Sequence, residues 1–156
     1  MRTIKRVLPV VVCCVVVFLG IFLGARMWKE AAPTTPNAAQ LKDIEELMRV
    51  KLPPSARTIA WSHGSAVGDW GILLKLEILP SDMSTLVADS PFTQGSLTST
   101  DALFYISGRY RWWDEGEEAQ KYVFGEVALP EGRELEMLVD MDRQDVYVVY
   151  LALFGS

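Results

Sequence analysis

The residues able to do chemistry in this 156-residue chain are few, and their placing excludes more than it suggests. There is one histidine, His63, so a histidine metal cluster cannot form and no HExxH pattern exists. Ser62, Ser65 and Asp69 lie near His63, but triad members normally come from separated positions, and the stretch around Ser65 is not GxSxG. His63 therefore reads as a solvated turn residue. The two cysteines, Cys13 and Cys14, sit in an apolar run, which leaves the rest of the chain without a disulfide framework, a thiolate zinc site or a thiol nucleophile. Neither GxxxxGK[ST] nor GxGxxG occurs, so phosphate cradling has no support.

Carboxylates are the remaining candidates. Residues 140–145, DMDRQD, begin like a calcium loop but lack glycine at the sixth position, and Leu151 stands where the twelfth-position glutamate belongs. A hairpin turn is the expected role. The acids in residues 114–118 are expected to form a solvated loop. Two carboxylates could hydrolyse a glycosidic bond, but nothing in the sequence selects a pair among 20 acids. No catalytic residue, metal site or cofactor is assigned. The chain reads as non-catalytic, with a carboxylate-dependent hydrolase as the alternative.

Binding chemistry is better represented. Arg109, Tyr110, Arg111, Trp112 and Trp113 are consecutive. Strand alternation would put Arg109, Arg111 and Trp113 on one face and Tyr110 and Trp112 on the other. Tyr, Trp and Arg are the types enriched at interface hot spots, so Arg109, Arg111, Trp112 and Trp113 are the expected partner-binding residues. The competing reading packs a tryptophan in the core and pairs the arginines with cross-strand acids.

The element that positions everything else is the run at residues 7–25, which is 19 residues without a charge. As a helix it spans about 28 Å, close to the hydrocarbon thickness of a bilayer. It reads as a retained anchor rather than a cleaved signal, because Leu23 would stand three positions before a cut after Ala25. Valines before Cys13 argue against lipid attachment after processing. Arg2, Lys5 and Arg6 precede the run, while Arg26, Lys29 and Glu30 follow it, which favours a cytoplasmic N-terminus and an extracytoplasmic domain. Trp28 suits the far interface. Gly20 and Gly24 form a GxxxG patch where a second helix can approach, so a homodimer through the anchor is one expected arrangement.

Three regions follow: 1–29 the anchor, 30–37 a proline-containing linker, and 38–156 the domain. Five of the 15 bases precede residue 30, leaving 10 against 20 acids, so the remainder carries about −10 and should repel nucleic acid and anionic lipid. Asn37 with Gln40 forms a capping box. It opens an amphipathic helix through Leu41, Ile44, Leu47 and Met48, expected to dock on a sheet. Strands are expected at 58–62, 70–79, 102–113, 121–129, 134–140 and 146–154, with a turn at 64–68, a short helix over 81–88 and a loop at 92–101. The last three strands read as an antiparallel meander. The fold class is α+β: a mainly antiparallel sheet of about six strands with two short helices.

Leu52-Pro53-Pro54-Ser55-Ala56, a strand, then Lys75-Leu76-Glu77 running into Ser81-Asp82 and a short helix make an order that resembles small bacterial membrane-anchored envelope proteins of unknown function. The resemblance covers about a third of the chain and implies a bacterial envelope setting; another envelope protein is the expected partner. It implies no activity. A structural subunit dimerising through its transmembrane helix is a further alternative.

Overall fold

The computed structural model describes residues 34–66, 69–93, 95–99, 112–113 and 119–155. The expected membrane span and its Gly20 and Gly24 lie outside them. Among the described residues no helix is long and apolar enough to cross a membrane.

Helix α1, Ala38–Met48, starts where the sequence places it. The Asn37 side chain accepts from the Gln40 N–H at 2.9 Å, and the Gln40 side chain accepts from the Asn37 N–H at 2.9 Å. Two otherwise orphaned donors are thereby satisfied. The helix stops at Arg49, which turns left-handed with φ 55°, and the Val50 N–H closes back on the Glu45 carbonyl at 3.1 Å. A non-glycine residue in that region costs on the order of 1 kcal/mol. Burial of Ile44, Met48 and Val50 against the sheet offsets it. Arg133 also donates to the Leu47 carbonyl at 3.1 Å, tying the helix end to the sheet.

Strands β1 (Arg57–Ala66) and β2 (Asp69–Ile78) form an antiparallel pair. The first strand is longer than expected: its pairing with β2 continues to Ala66, opposite Asp69. A 3-10 turn at Pro80–Asp82 leads into helix α2, Met83–Ala88. Strands β3 (Tyr122–Leu129), β4 (Arg133–Asp140) and β5 (Tyr147–Gly155) then form the meander. The sheet has five strands in the order β1-β2-β5-β4-β3, all antiparallel. The last strand thus sits at the centre. A sixth strand at 102–113 lies outside the described residues except for Trp112 and Trp113, which occupy a turn and irregular backbone rather than a strand.

Each face of the sheet has its own core. On one face Ile72, Leu74, Leu76 and Ile78 of β2 meet Leu135, Met137 and Val139 of β4 and Val149, Leu151 and Leu153 of β5. α1 and α2 cover this face through Ile44, Met48, Leu86 and Val87. The opposite face carries Leu73, Leu138, Tyr150 and Ala152, and Trp113 packs on it with Trp112, Tyr122 and Phe124 alongside.

The outer edge of β3 is held by a crossing loop. Thr98 and Phe124 exchange both backbone hydrogen bonds, at 2.8 and 2.7 Å. The same loop passes over Gly125 so closely that a Cβ there would lie 2.5 Å from the Ser96 carbonyl oxygen. Gly125→Ala should therefore displace the loop and lower stability by about 1–3 kcal/mol in chemical denaturation. Gly95→Ala, where a Cβ meets nothing within 4 Å, should shift it by less than about 0.5 kcal/mol. Equal effects would mean that the close crossing is not a constraint.

Candidate functional site

The aromatic residues divide once they are placed. Arg109 and Arg111 lie outside the described residues. Trp113 is only 2% exposed, so it is not offered to a partner at the surface. Its ring stands edge-on to Tyr150 with centroids 5.2 Å apart, and edge-on to Trp112 at 5.6 Å. It acts as a plug on the second face, in keeping with the core-packing reading rather than the binding-face one. Trp112 is only half-buried and keeps an accessible side.

Lys75 explains how the two tryptophans are held. It comes from the centre of β2 and is 8% exposed. Its Nζ donates to the Trp112 carbonyl at 3.1 Å and lies 5.1 Å from the centroid of the Tyr150 ring. A buried ammonium must be satisfied in this way or leave the interior. Alternation placed Lys75 on the face away from Leu74 and Leu76 but gave no sign that this face would be covered.

On that second face β3 and β4 set Glu126 directly opposite Glu136. With Glu134, each offers a carboxylate oxygen, all within 4.8 Å of one another. Glu136 is 6% exposed, while Glu126 and Glu134 are exposed. Like charges opposed on a strand pair are destabilising, so a hard cation or a basic group would be welcome there. No sequence motif announces this trio. The only signal is glutamate at alternate positions of one strand, and the register of β3 completes it.

Residues 140–145, expected to form a hairpin turn, lie at the connection between β4 and β5. Both Asp142 oxygens accept the Gln120 N–H, at 2.9 and 3.1 Å, and one accepts the Lys121 N–H at 2.7 Å. Asp140 accepts the Asp142 N–H at 2.9 Å. These carboxylates are occupied in holding the start of β3 against the β4–β5 connection. Leu151 is fully buried in β5. His63 is exposed on β1 opposite Ile72, whereas Asp69 is opposite Ala66, so the two are not cross-strand partners.

Where that connection meets the start of β3, the sheet end carries an open concavity of about 590 Å³. Lys121, Tyr122, Met141, Arg143 and Tyr147 contribute to its lining, and Ser99 to its rim. Tyr122 also packs against the core cluster of the second face, on which Trp112 lies as well. Among the described residues that line it there is no Asp, Glu, His or Cys. Arg143 is oriented by two carboxylates, Glu77 at 3.4 Å and Asp145 at 3.2 Å, and Glu77 is also bound by Arg57.

No family model, curated protein or solved structure matches the chain. The site is therefore read from its own geometry.

The side-chain hydrogen bond from Arg143 holds the Asp145 carboxyl below its ordinary value of 3.8, helped by backbone N–H groups. A depressed folded-state pKa contributes stability above the ordinary value, and that contribution is lost as pH falls through the folded value. Carbon-detected NMR titration should show Asp145 returning toward 3.8 in Arg143→Gln. An unchanged Asp145 midpoint would show that the contact does not persist in solution.

Proposed function

We propose that this chain is a non-catalytic protein-binding or envelope accessory module, held outside the cytoplasm by a single N-terminal membrane helix. Immunity-type or assembly roles belong to this class. The observation that carries the binding part is the concavity at the sheet end. It combines tyrosines, a methionine and two basic side chains, and its described lining residues include no acid, histidine or thiol. Tyr and Arg supply contact area and directed donors at hot spots, and Met adapts to irregular surfaces. An open, base-lined hollow on an acidic domain also gives an approaching acidic surface one place to settle. The anchoring part rests on the 19-residue apolar run and its flanking bases.

The alternative, a carboxylate-dependent hydrolase, is favoured by one observation. Glu126, Glu134 and Glu136 bring carboxylate oxygens within 4.8 Å of one another, somewhat closer than the roughly 5–5.5 Å between the paired carboxyl groups of retaining glycoside hydrolases. They lie on the sheet face, however, and none lines the concavity. The hydrolase reading requires cleavage of an envelope polymer that Glu126→Gln abolishes, and the binding reading requires none.

A photo-activated cross-linker at position 144, beside the concavity, should capture a discrete envelope partner in intact membranes. Combining it with Tyr122→Ala and Arg143→Glu should reduce capture about tenfold, the loss of roughly 1.4 kcal/mol. Undiminished capture, with the fold verified by circular dichroism, would remove the concavity as the binding site.

A further inference from the structure

Two basic side chains line the concavity, and the fold uses them differently. Arg143 donates to Glu77 at 3.4 Å and to Asp145 at 3.2 Å, so its charge is answered within the domain. Lys121 is exposed, and among the described residues no carboxylate pairs with its ammonium. Asp142 does not answer that charge. Both of its oxygens accept backbone N–H groups, those of Gln120 and of Lys121 itself. An isolated surface lysine is ordinarily just solvated. Lys121 differs in standing over an apolar floor: Val123, Met141 and Tyr147 line the same hollow while packing against the first-face core.

We propose that Lys121 reads a carboxylate, so that the concavity takes an acidic peptide segment of a partner protein. An Asp or Glu side chain sits on the Lys121 ammonium, and a neighbouring apolar side chain lies against Val123, Met141 and Tyr147. This inference rests on the binding reading above and names the chemistry of its partner. A volume of about 590 Å³ is in the range that seats a short segment. The side-chain amide of Gln120, also in the lining, offers both a donor and an acceptor, as a peptide backbone requires. A bare inorganic anion would leave the apolar floor unused. Charge supplies selectivity as well. From residue 30 onward the chain carries 10 bases against 20 acids, so an acidic segment is turned away from most of the domain and drawn to this end. Arg143 has a separate task here. Its bonds to Glu77 tie the β4–β5 connection to β2 and keep the wall in place, so it is a positioning residue.

The test uses the full chain in intact membranes, treated with a water-soluble carbodiimide, which joins an amine to a carboxylate in contact with it. Lys121 should become amide-linked to an Asp or Glu of a second protein, located by mass spectrometry. Lys121→Arg keeps the charge but offers no amine, so it should abolish this product while leaving photo-capture at position 144 unchanged. Lys121→Gln removes the charge and should lower photo-capture about fivefold, as expected for an exposed ion pair. Capture that Lys121→Gln leaves intact, while Tyr122→Ala with Arg143→Glu reduces it, would overturn carboxylate recognition and leave the concavity as the binding site. A coupled product formed only between two copies of this chain, or only at other lysines, would overturn it too. Absence of any capture by the unaltered chain would overturn both readings together.

Discussion

The structure depends on the insertion of β5 between β2 and β4. Val149, Leu151 and Leu153 face one side and Tyr150 and Ala152 the other, and all five are buried. A strand that is apolar on both faces obliges the protein to cover both. The helices cover one side. The other is covered by Trp113, with Trp112 beside it, and both are held down through Lys75. The buried lysine is therefore a consequence of the central strand: the plug must be fixed, and a carbonyl on the plug gives the ammonium its bond.

The same logic governs the ends and edges. A five-stranded antiparallel sheet leaves two outer strands, and each is met by a short bridge, Thr34 on β1 and Thr98 on β3. Such bridges blunt the tendency of free edges to recruit other chains. The β4–β5 connection is stiffened by Asp140 and Asp142, which bond backbone N–H groups, and by Arg143 between Glu77 and Asp145. That stiffening shapes the concavity. Its walls combine the ends of β3 and β5 with connection residues such as Met141 and Arg143 that are fixed by hydrogen bonds, so the hollow requires little ordering when a partner arrives.

Local pattern made much of this readable in the sequence. Asn37 and Gln40 announce α1, the alternation from Ile72 to Ile78 announces β2, and short polar turns announce the meander. What could not be read depends on contacts distant in sequence. Nothing local says that the last strand lies beside β2, that Lys75 will be buried, or that Glu126 will face Glu136. The burial of Trp113 was hidden for the same reason. Period two tells which residues share a face, but it is silent about whether the backbone there is a strand and about what will cover it. The concavity escaped notice because its lining comes from strand ends and connections distant in sequence that only the register brings together.

The proposed role, holding a partner near a membrane, rests on the aromatic and basic hollow at one sheet end and on the apolar run at residues 7–25. The most direct test joins protease treatment of intact cells with alkaline carbonate washing of their membranes, following an epitope at the C-terminus of the full chain. The protein should remain with the carbonate-washed membranes, and external protease should remove the epitope. Release by carbonate, or an epitope protected in intact cells and digested only after lysis, would contradict a domain tethered outside the cytoplasm.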